Sequence, residues 1–139
     1  MIESVLVPLD ESEMASRALR HALESYPDAS VTVLHVVGEP SSMMGQATGL
    51  ALADDLEAEA EKYAADTLDK AREIAAEYDQ EIETTVGIGH PARAILNRAG
   101  DFDIVVMGTH GGSFSDRLLV GNVAERVFRR SPVPVTLIR

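Results

Sequence analysis

Short and almost uninterrupted apolar runs constrain the fold of this chain more than any other feature. Five β-like runs, at residues 4–9, 31–37, 82–88, 103–107 and 135–139, alternate with four helical patterns. Most of these runs are continuous, as in VTVLHVV. A strand buried on both faces has this character, whereas a strand with one wet face alternates. We therefore predict an α/β fold, with a doubly wound, open parallel sheet of five strands and helices on both faces.

The helical patterns are bounded by capping residues, glycine and proline. The first follows Asp10 or Ser12, the third begins at Pro91, and the fourth follows Gly121. The second is the longest, and its stripe at spacings of three and four is expected to pack on the sheet: Leu56, Ala60, Tyr63, Thr67, Ala71, Ile74 and Tyr78. Residues 38–49 form the one long loop. With no repeat, linker or low-complexity tract, the chain is expected to be a single domain over residues 1–139.

Composition excludes several functional classes. The net charge of −11 argues against nucleic-acid binding, because phosphate backbones recruit basic surfaces. The absence of cysteine excludes disulfides, thiol catalysis and thiolate metal sites. No run approaches the roughly 18 apolar residues of a membrane helix, and the N-terminus does not resemble a signal peptide. A cytoplasmic protein that contacts no membrane is therefore expected.

The acidic charge is unevenly distributed. Residues 54–79 contain ten acidic and three basic side chains, whereas residues 108–139 contain two acidic side chains and five arginines. Such an acidic helix is typical of a solvated face, and a partner-binding surface is the alternative. The acidity avoids the glycine-rich segment that follows the fourth predicted strand.

Two segments are expected to meet at the carboxyl end of the sheet, where doubly wound folds bind ligands. VPLDES leaves the first strand, and MGTHGGSFSDRLLVGN leaves the fourth and enters the last helix. The glycines of the second segment permit a close approach to phosphate and positive φ angles, and the helix that begins near Asn122 offers free N–H groups: Gly108, Gly111, Gly112 and Gly121. The plain alternative is a tight or flexible loop.

Other chemistry finds little support in the sequence. A Walker loop is excluded, because Lys62 and Lys70 are the only lysines and both lie in the second helix. Asp10 is as well suited to capping the first helix as to binding a ligand. His90 and His110 have no adjacent serine or carboxylate as a catalytic companion, and the four histidines lack the spacing of metal ligands. We therefore expect no catalytic and no metal site.

These motifs resemble the universal stress protein family, whose ATP-binding members carry G-x2-G-x9-G followed by serine or threonine. Gly108, Gly111 and Gly121 match that pattern. The resemblance extends from VLVPLDES through VTVLHVV and GHPARAIL to VAERVFRRSPVPVTLIR. It implies the strand order 3-2-1-4-5, with ATP crossing between the first and fourth strands.

The resemblance also implies an adenine-nucleotide site that takes ATP, ADP or AMP, with or without magnesium. Asp10 would lie close to the base or ribose, and Val36 would wall the adenine. The glycines would surround the phosphates, and the start of the last helix would donate N–H groups. The residues implied are Pro8, Leu9, Asp10, Val36, Met107, Gly108, His110, Gly111, Gly121, Asn122 and Val123. Two positions depart from the family: Asn122 replaces the usual serine or threonine, and Gly112 replaces a frequent arginine or lysine.

Three functions follow from these observations. The first is a stress-response or regulatory module that binds ATP and hydrolyses it very slowly or not at all. The second is the non-binding branch of the family, in which the domain acts as a protein-interaction domain. The third is a small-substrate hydrolase or nucleotidylyl transferase that uses His110 or Asp10.

The last predicted strand is expected to form a homodimer, because the implied order places it at a sheet edge. VTLIR has only Arg139 as a charge to discourage pairing with a second chain. Proline at Thr136 is expected to split such a dimer. The competing possibility is a monomer in which Phe114 or Met43 covers the edge.

Overall fold

A computed structural model describes residues 1–38, 56–110 and 121–139. Within these ranges it contains five strands: β1 Ser4–Pro8, β2 Ser30–Val37, β3 Glu83–Ile88, β4 Ile104–Gly108 and β5 Val135–Ile138. The same ranges contain four helices: α1 Glu13–Ser25, α2 Leu56–Glu77, α3 Pro91–Ala99 and α4 Asn122–Arg130. Each strand bound lies within one residue of its prediction, so the apolar runs located the strands accurately.

The five strands form one parallel sheet in the order β3-β2-β1-β4-β5. This confirms the predicted fold class and the strand order that the resemblance implied. The central strand β1 pairs with β2 from Ser4↔Ser30 to Pro8↔Leu34, and with β4 at Val5↔Ile104 and Leu6↔Val105. The carboxyl ends of β1, β2 and β4 therefore lie together at one edge.

Helices cover both faces of the sheet. Val5 and Val7 of β1 pack with α1 and α2 on one face, whereas Leu6 packs with α3 and α4 on the other. All three side chains are fully buried, which accounts for the unbroken apolar sequence of β1. The predicted stripe of α2 is confirmed over the described side chains: Ala60, Thr67, Ala71 and Ile74 are buried, and Tyr63 and Tyr78 are partly buried.

Ser12, rather than Asp10, caps α1. The Ser12 Oγ accepts a hydrogen bond from the Ala15 N–H at 3.2 Å, which satisfies one of the free donors of the first turn. The Asp10 carboxylate accepts one from the Ser12 N–H at 2.8 Å. This local turn leads the chain away from the end of β1 and places Asp10 at the carboxyl edge of the sheet.

The predicted loop lies outside the described residues from residue 39 to residue 49, as does most of the glycine-rich segment. The residues left out include Gly111, Gly112, Phe114 and Met43. Within the part of the chain that the structure describes, none of the helices has the length and apolar character needed to cross a membrane.

Candidate functional site

A cavity of about 510 Å³ opens at the carboxyl ends of β1, β2 and β4. The connection after β1 leads to α1 on one face, and α4 follows β4 on the other face. The cavity therefore lies where neighbouring connections leave toward opposite faces, which is the usual ligand crevice of an open α/β sheet. Its volume falls within the range of small-molecule sites.

Most of the residues predicted for the site line this cavity. They come from the ends of β1, β2 and β4 and from the start of α4: Pro8, Leu9, Asp10, Val36, Met107, Gly108, His110, Gly121, Asn122 and Val123. The eleventh, Gly111, lies outside the described residues. The structure thus brings together residues that are separated by more than one hundred positions in the sequence.

Seven lining residues were not predicted for the site: Ser12, Ala15, Leu34, His35, Pro91, Ile95 and Ala124. His35 is the one whose chemistry matters most, because it is a polar side chain within the apolar run VTVLHVV. This polar residue within an apolar run was the feature of the sequence that could have indicated a role for His35. The spacing of the four histidines bears only on metal binding, so it gave no reason to place His35 in the site.

The N-terminus of α4 faces the cavity without a side-chain cap. Gly121 occupies the N-cap position, and the first intrahelical bond runs from the Glu125 N–H to the Gly121 carbonyl at 2.9 Å. The N–H groups of Asn122, Val123 and Ala124 precede that bond and have no acceptor within the helix. All three residues line the cavity. Free N–H groups and the positive end of the helix dipole together favour an anion at this position.

Contacts within the chain itself favour glycine at two positions of the site. A Cβ on Gly108 would lie 2.9 Å from the Cβ of Met14, and one on Gly121 would lie 3.2 Å from the His110 Cα. The predicted positive φ angles are wrong at both positions, because Gly121 has φ −66° and, among the described glycines, Gly89 alone has a positive φ. Close packing against α1 and against the end of the β4 segment explains these glycines.

Three ionisable side chains line the cavity, and each has a hydrogen bond to its own surroundings. Besides the Asp10 contact described above, His35 Nδ1 lies 2.8 Å from the Leu9 carbonyl, and His110 Nδ1 lies 3.3 Å from Thr109 Oγ1. The described lining includes no lysine or arginine. Among the described residues, the donors available to a bound anion are therefore mainly the backbone N–H groups of the first turn of α4 and the Asn122 amide.

The described residues contain no group of three or more metal-ligating side chains. Among the described residues that line the cavity, Asp10 is the only one with a carboxylate. A magnesium ion that arrived with a nucleotide would thus take most of its oxygen ligands from phosphate and water, as this ion commonly does. The described lining contains no acid and base joined by a hydrogen bond.

Comparisons with known proteins identify the family. The model of the universal stress protein family matches residues 1–139. The universal stress protein YxiE of Bacillus subtilis is 31% identical over 148 residues, which cover all of both chains. The chain belongs to the universal stress protein family.

Solved universal stress proteins share the fold. UspA from Lactobacillus plantarum has a TM-score of 0.78 and 28% identity, with 99% of this chain and 98% of that chain covered. The universal stress protein from Archaeoglobus fulgidus in complex with dAMP has a TM-score of 0.69 and 24% identity, with 100% and 98% covered. The second likeness shows the fold alone.

Proposed function

We propose that this universal stress protein binds an adenine nucleotide, ATP, ADP or AMP, in the cavity between β1 and β4 and acts as a stress-response or regulatory module. One observation carries the proposal. The uncapped N-terminus of α4 opens into a cavity of about 510 Å³ that is otherwise lined mainly by apolar side chains. An anionic group and an apolar ring system on one ligand match these two parts of the site.

The proposed pose follows from the ends of the cavity. The base lies toward β2, against Val36, and the phosphates lie at Asn122 and Val123, where the free N–H groups converge. Asp10 also lines the cavity, and in this pose its carboxylate accepts hydrogen bonds from the ribose hydroxyls, as the family resemblance implies. Gly111 belongs to the proposed phosphate site, although it lies outside the described residues.

The relative with dAMP supports this choice of ligand at the level of the fold. That protein is in complex with dAMP, and its fold matches 100% of this chain. An adenine nucleotide is therefore a ligand that this architecture accommodates, while the identity of 24% transfers no residue contacts.

We further propose that turnover is very slow. Stabilising a phosphoryl-transfer transition state takes cationic groups and a positioned base. The described lining offers one carboxylate and no lysine or arginine. The second candidate function, a protein-interaction domain without a nucleotide, is favoured by Asn122 at a position where serine or threonine is usual, and nucleotide titration separates the two.

Asn122 offers a test in which stability and binding move in opposite directions. Asn122→Asp preserves the shape of the side chain and adds a negative charge at the first turn of α4, where the helix dipole favours it. The same charge repels phosphate. We expect ATP affinity to fall by at least about tenfold, while the melting temperature of the free protein stays the same or rises.

Asn122→Ser is the matched control, because it is smaller, uncharged and able to donate to phosphate. Isothermal calorimetry is expected to give an affinity for Asn122→Ser equal to or better than that of the wild type. Equal ATP affinities for Asn122→Asp and the wild type would mean that phosphate does not lie at α4. A large loss in Asn122→Ser would show that the asparagine amide itself is a required ligand.

A further inference from the structure

The hydrogen bonds of β2 alternate between its two neighbours in a regular way. Ser30 and Leu34 face β1, since the Ser30 N–H donates to Glu3 at 2.9 Å and the Leu34 carbonyl accepts from the Leu9 N–H at 2.8 Å. Val37 faces the β3 side, where its carbonyl accepts from the Gly89 N–H at 2.9 Å. Successive residues of a strand direct their N–H and C=O groups to opposite sides. Val36 therefore directs both groups toward the β1 side.

The β1–β2 ladder ends one hydrogen bond earlier than this alternation would allow. The next bond in the series would run from the Val36 N–H to the Leu9 carbonyl. The pairing ends instead at Pro8↔Leu34, and no bond between these two groups occurs among the described residues. The Leu9 carbonyl is occupied by the side chain of His35, whose Nδ1 lies 2.8 Å away.

The partner of Nδ1 determines the form of the imidazole. A carbonyl oxygen can only accept a hydrogen bond, so Nδ1 carries a proton and donates it. The ring thereby takes the place of the Val36 N–H as the donor to Leu9. Beyond Leu9 the chain turns at Asp10, so β1 does not continue far enough to offer an N–H to the Val36 carbonyl. Val36 lines the cavity, and its N–H and C=O groups lack a partner within the described chain.

We propose that His35 is a positioning residue: by donating its Nδ1–H to the Leu9 carbonyl, it ends the β1–β2 ladder early and keeps the N–H and C=O of Val36 available to the bound ligand. The effect on ligand binding rests on the proposed function, whereas the effect of His35 on the β1–β2 ladder does not depend on it. A donor and an acceptor on one residue match the adjacent acceptor and donor on the edge of a purine base.

The cost of the arrangement supports a role in binding. An apolar side chain at position 35 would fit the run VTVLHVV and would leave the Leu9 carbonyl to accept the ordinary ladder bond from Val36. The chain instead places an imidazole in a half-buried position and leaves a backbone donor at the cavity wall without a partner among the described residues. Unpaired backbone groups are unfavourable unless water or a ligand satisfies them.

Two variants of His35 separate the effect of its hydrogen-bond donation from the effect of its side-chain packing. His35→Leu removes the donor, and His35→Asn retains one, because the asparagine amide nitrogen is as many bonds from Cα as Nδ1 is. In nucleotide-free protein, amide hydrogen exchange followed by NMR should show the Val36 N–H protected by at least about tenfold more in His35→Leu than in the wild type, as Val36 pairs with Leu9. His35→Asn should exchange like the wild type, whose imidazole ¹⁵N shifts should show a protonated Nδ1.

The binding measurement then tests the consequence. ATP affinity is expected to fall at least about tenfold in His35→Leu and to stay within about threefold in His35→Asn. Unchanged Val36 exchange in His35→Leu would overturn the proposal, because His35 would then not control the ladder. Altered Val36 exchange in His35→Leu with unchanged ATP affinity would overturn the proposed role of the Val36 groups in ligand binding. A wild type that binds no nucleotide but shows the exchange difference would contradict the proposed function and leave the His35 device intact.

Discussion

Asp103 illustrates how one exposed side chain can fix the start of the central strand. Its carboxylate Oδ2 accepts hydrogen bonds from the N–H groups of Glu3 at 2.8 Å and Ser4 at 3.1 Å, and the Asp103 N–H donates to the Ser4 carbonyl at 3.0 Å. These two bonds lower the pKa of the Asp103 carboxyl below its ordinary value of 3.8, and the bond from the Glu3 N–H has the larger effect. The ionised form therefore favours the folded state.

The resulting pH dependence has a definite sign. Because the pKa is lower in the folded state, the contribution is fully present above the ordinary carboxyl pKa and is lost as the pH falls through the folded value. We expect Asp103→Asn to melt below the wild type at pH 7, with the gap shrinking below about pH 4 as the wild-type carboxylate protonates. Thermal melts from pH 7 to pH 3 measure this gap.

Asp101→Asn is the control for Asp103, because it removes the charge of a nearby exposed carboxylate that has no side-chain hydrogen bond among the described residues. It should leave the melting temperature nearly unchanged at every pH. A gap of the same size at pH 3 and pH 7 for Asp103→Asn would contradict the linkage.

At the residue level, sequence reasoning located residues of the cavity, while their roles in binding stay predictions. The spacing of the glycine segment and the resemblance placed ten of eleven predicted residues at the cavity. The reason for Gly108 was missed, because its contact with Met14 depends on how α1 packs on β4. The bond from His35 to Leu9 was missed because it depends on the pairing register of β1 and β2.

At the level of the elements, the edge strand β5 has two different sides. The Pro134 carbonyl accepts from the Val105 N–H, and the Ile138 carbonyl accepts from the Thr109 N–H, so even-numbered residues of β5 face β4. Thr136 lies between them and faces β4 as well. Proline at Thr136 would remove a bond within the sheet, and it is therefore unsuitable as a test of the dimer. The direction of its N–H could not be read from VTLIR alone.

Val135 and Leu137 direct their backbone groups away from β4, toward the outer side of the edge. We expect a homodimer in which β5 strands pair across a two-fold axis. Leu137→Pro removes an outward N–H and should sediment as a monomer of 14.9 kDa, whereas Leu137→Ala loses the side chain, keeps the N–H and should remain a dimer. Sedimentation velocity at micromolar concentration distinguishes them, and a monomeric wild type would end the proposal.

The strands and helices were predictable to within a residue or so, because continuous apolar runs and capping residues are local signals. The strand order could not be derived from them, since pairing between distant runs leaves no local pattern, and it came from the family resemblance. Ser12 and Asp10 were both plausible caps of α1. Only the observed bonds assign the cap to Ser12 and the turn to Asp10.

At the scale of the whole molecule, charge opposes the proposed ligand. The chain has a net charge of −11, and a nucleotide is also an anion, so long-range repulsion is expected at low ionic strength. At 0.1 M salt, repulsion between charges more than about 10 Å apart is largely screened. Binding at the N-terminus of α4 relies on short-range N–H contacts, which salt screens less. Affinity for ATP is therefore expected to hold or improve as salt is raised.

Calorimetric titration of the wild-type protein with ATP tests the central claim most directly, and it is best performed at about 0.1 M and about 1 M salt. We expect a saturable heat that corresponds to one nucleotide per chain at both salt concentrations, with ADP and AMP competing for the same site. A flat titration with ATP, ADP and AMP at millimolar concentration under both conditions would contradict it, and would favour the protein-interaction domain.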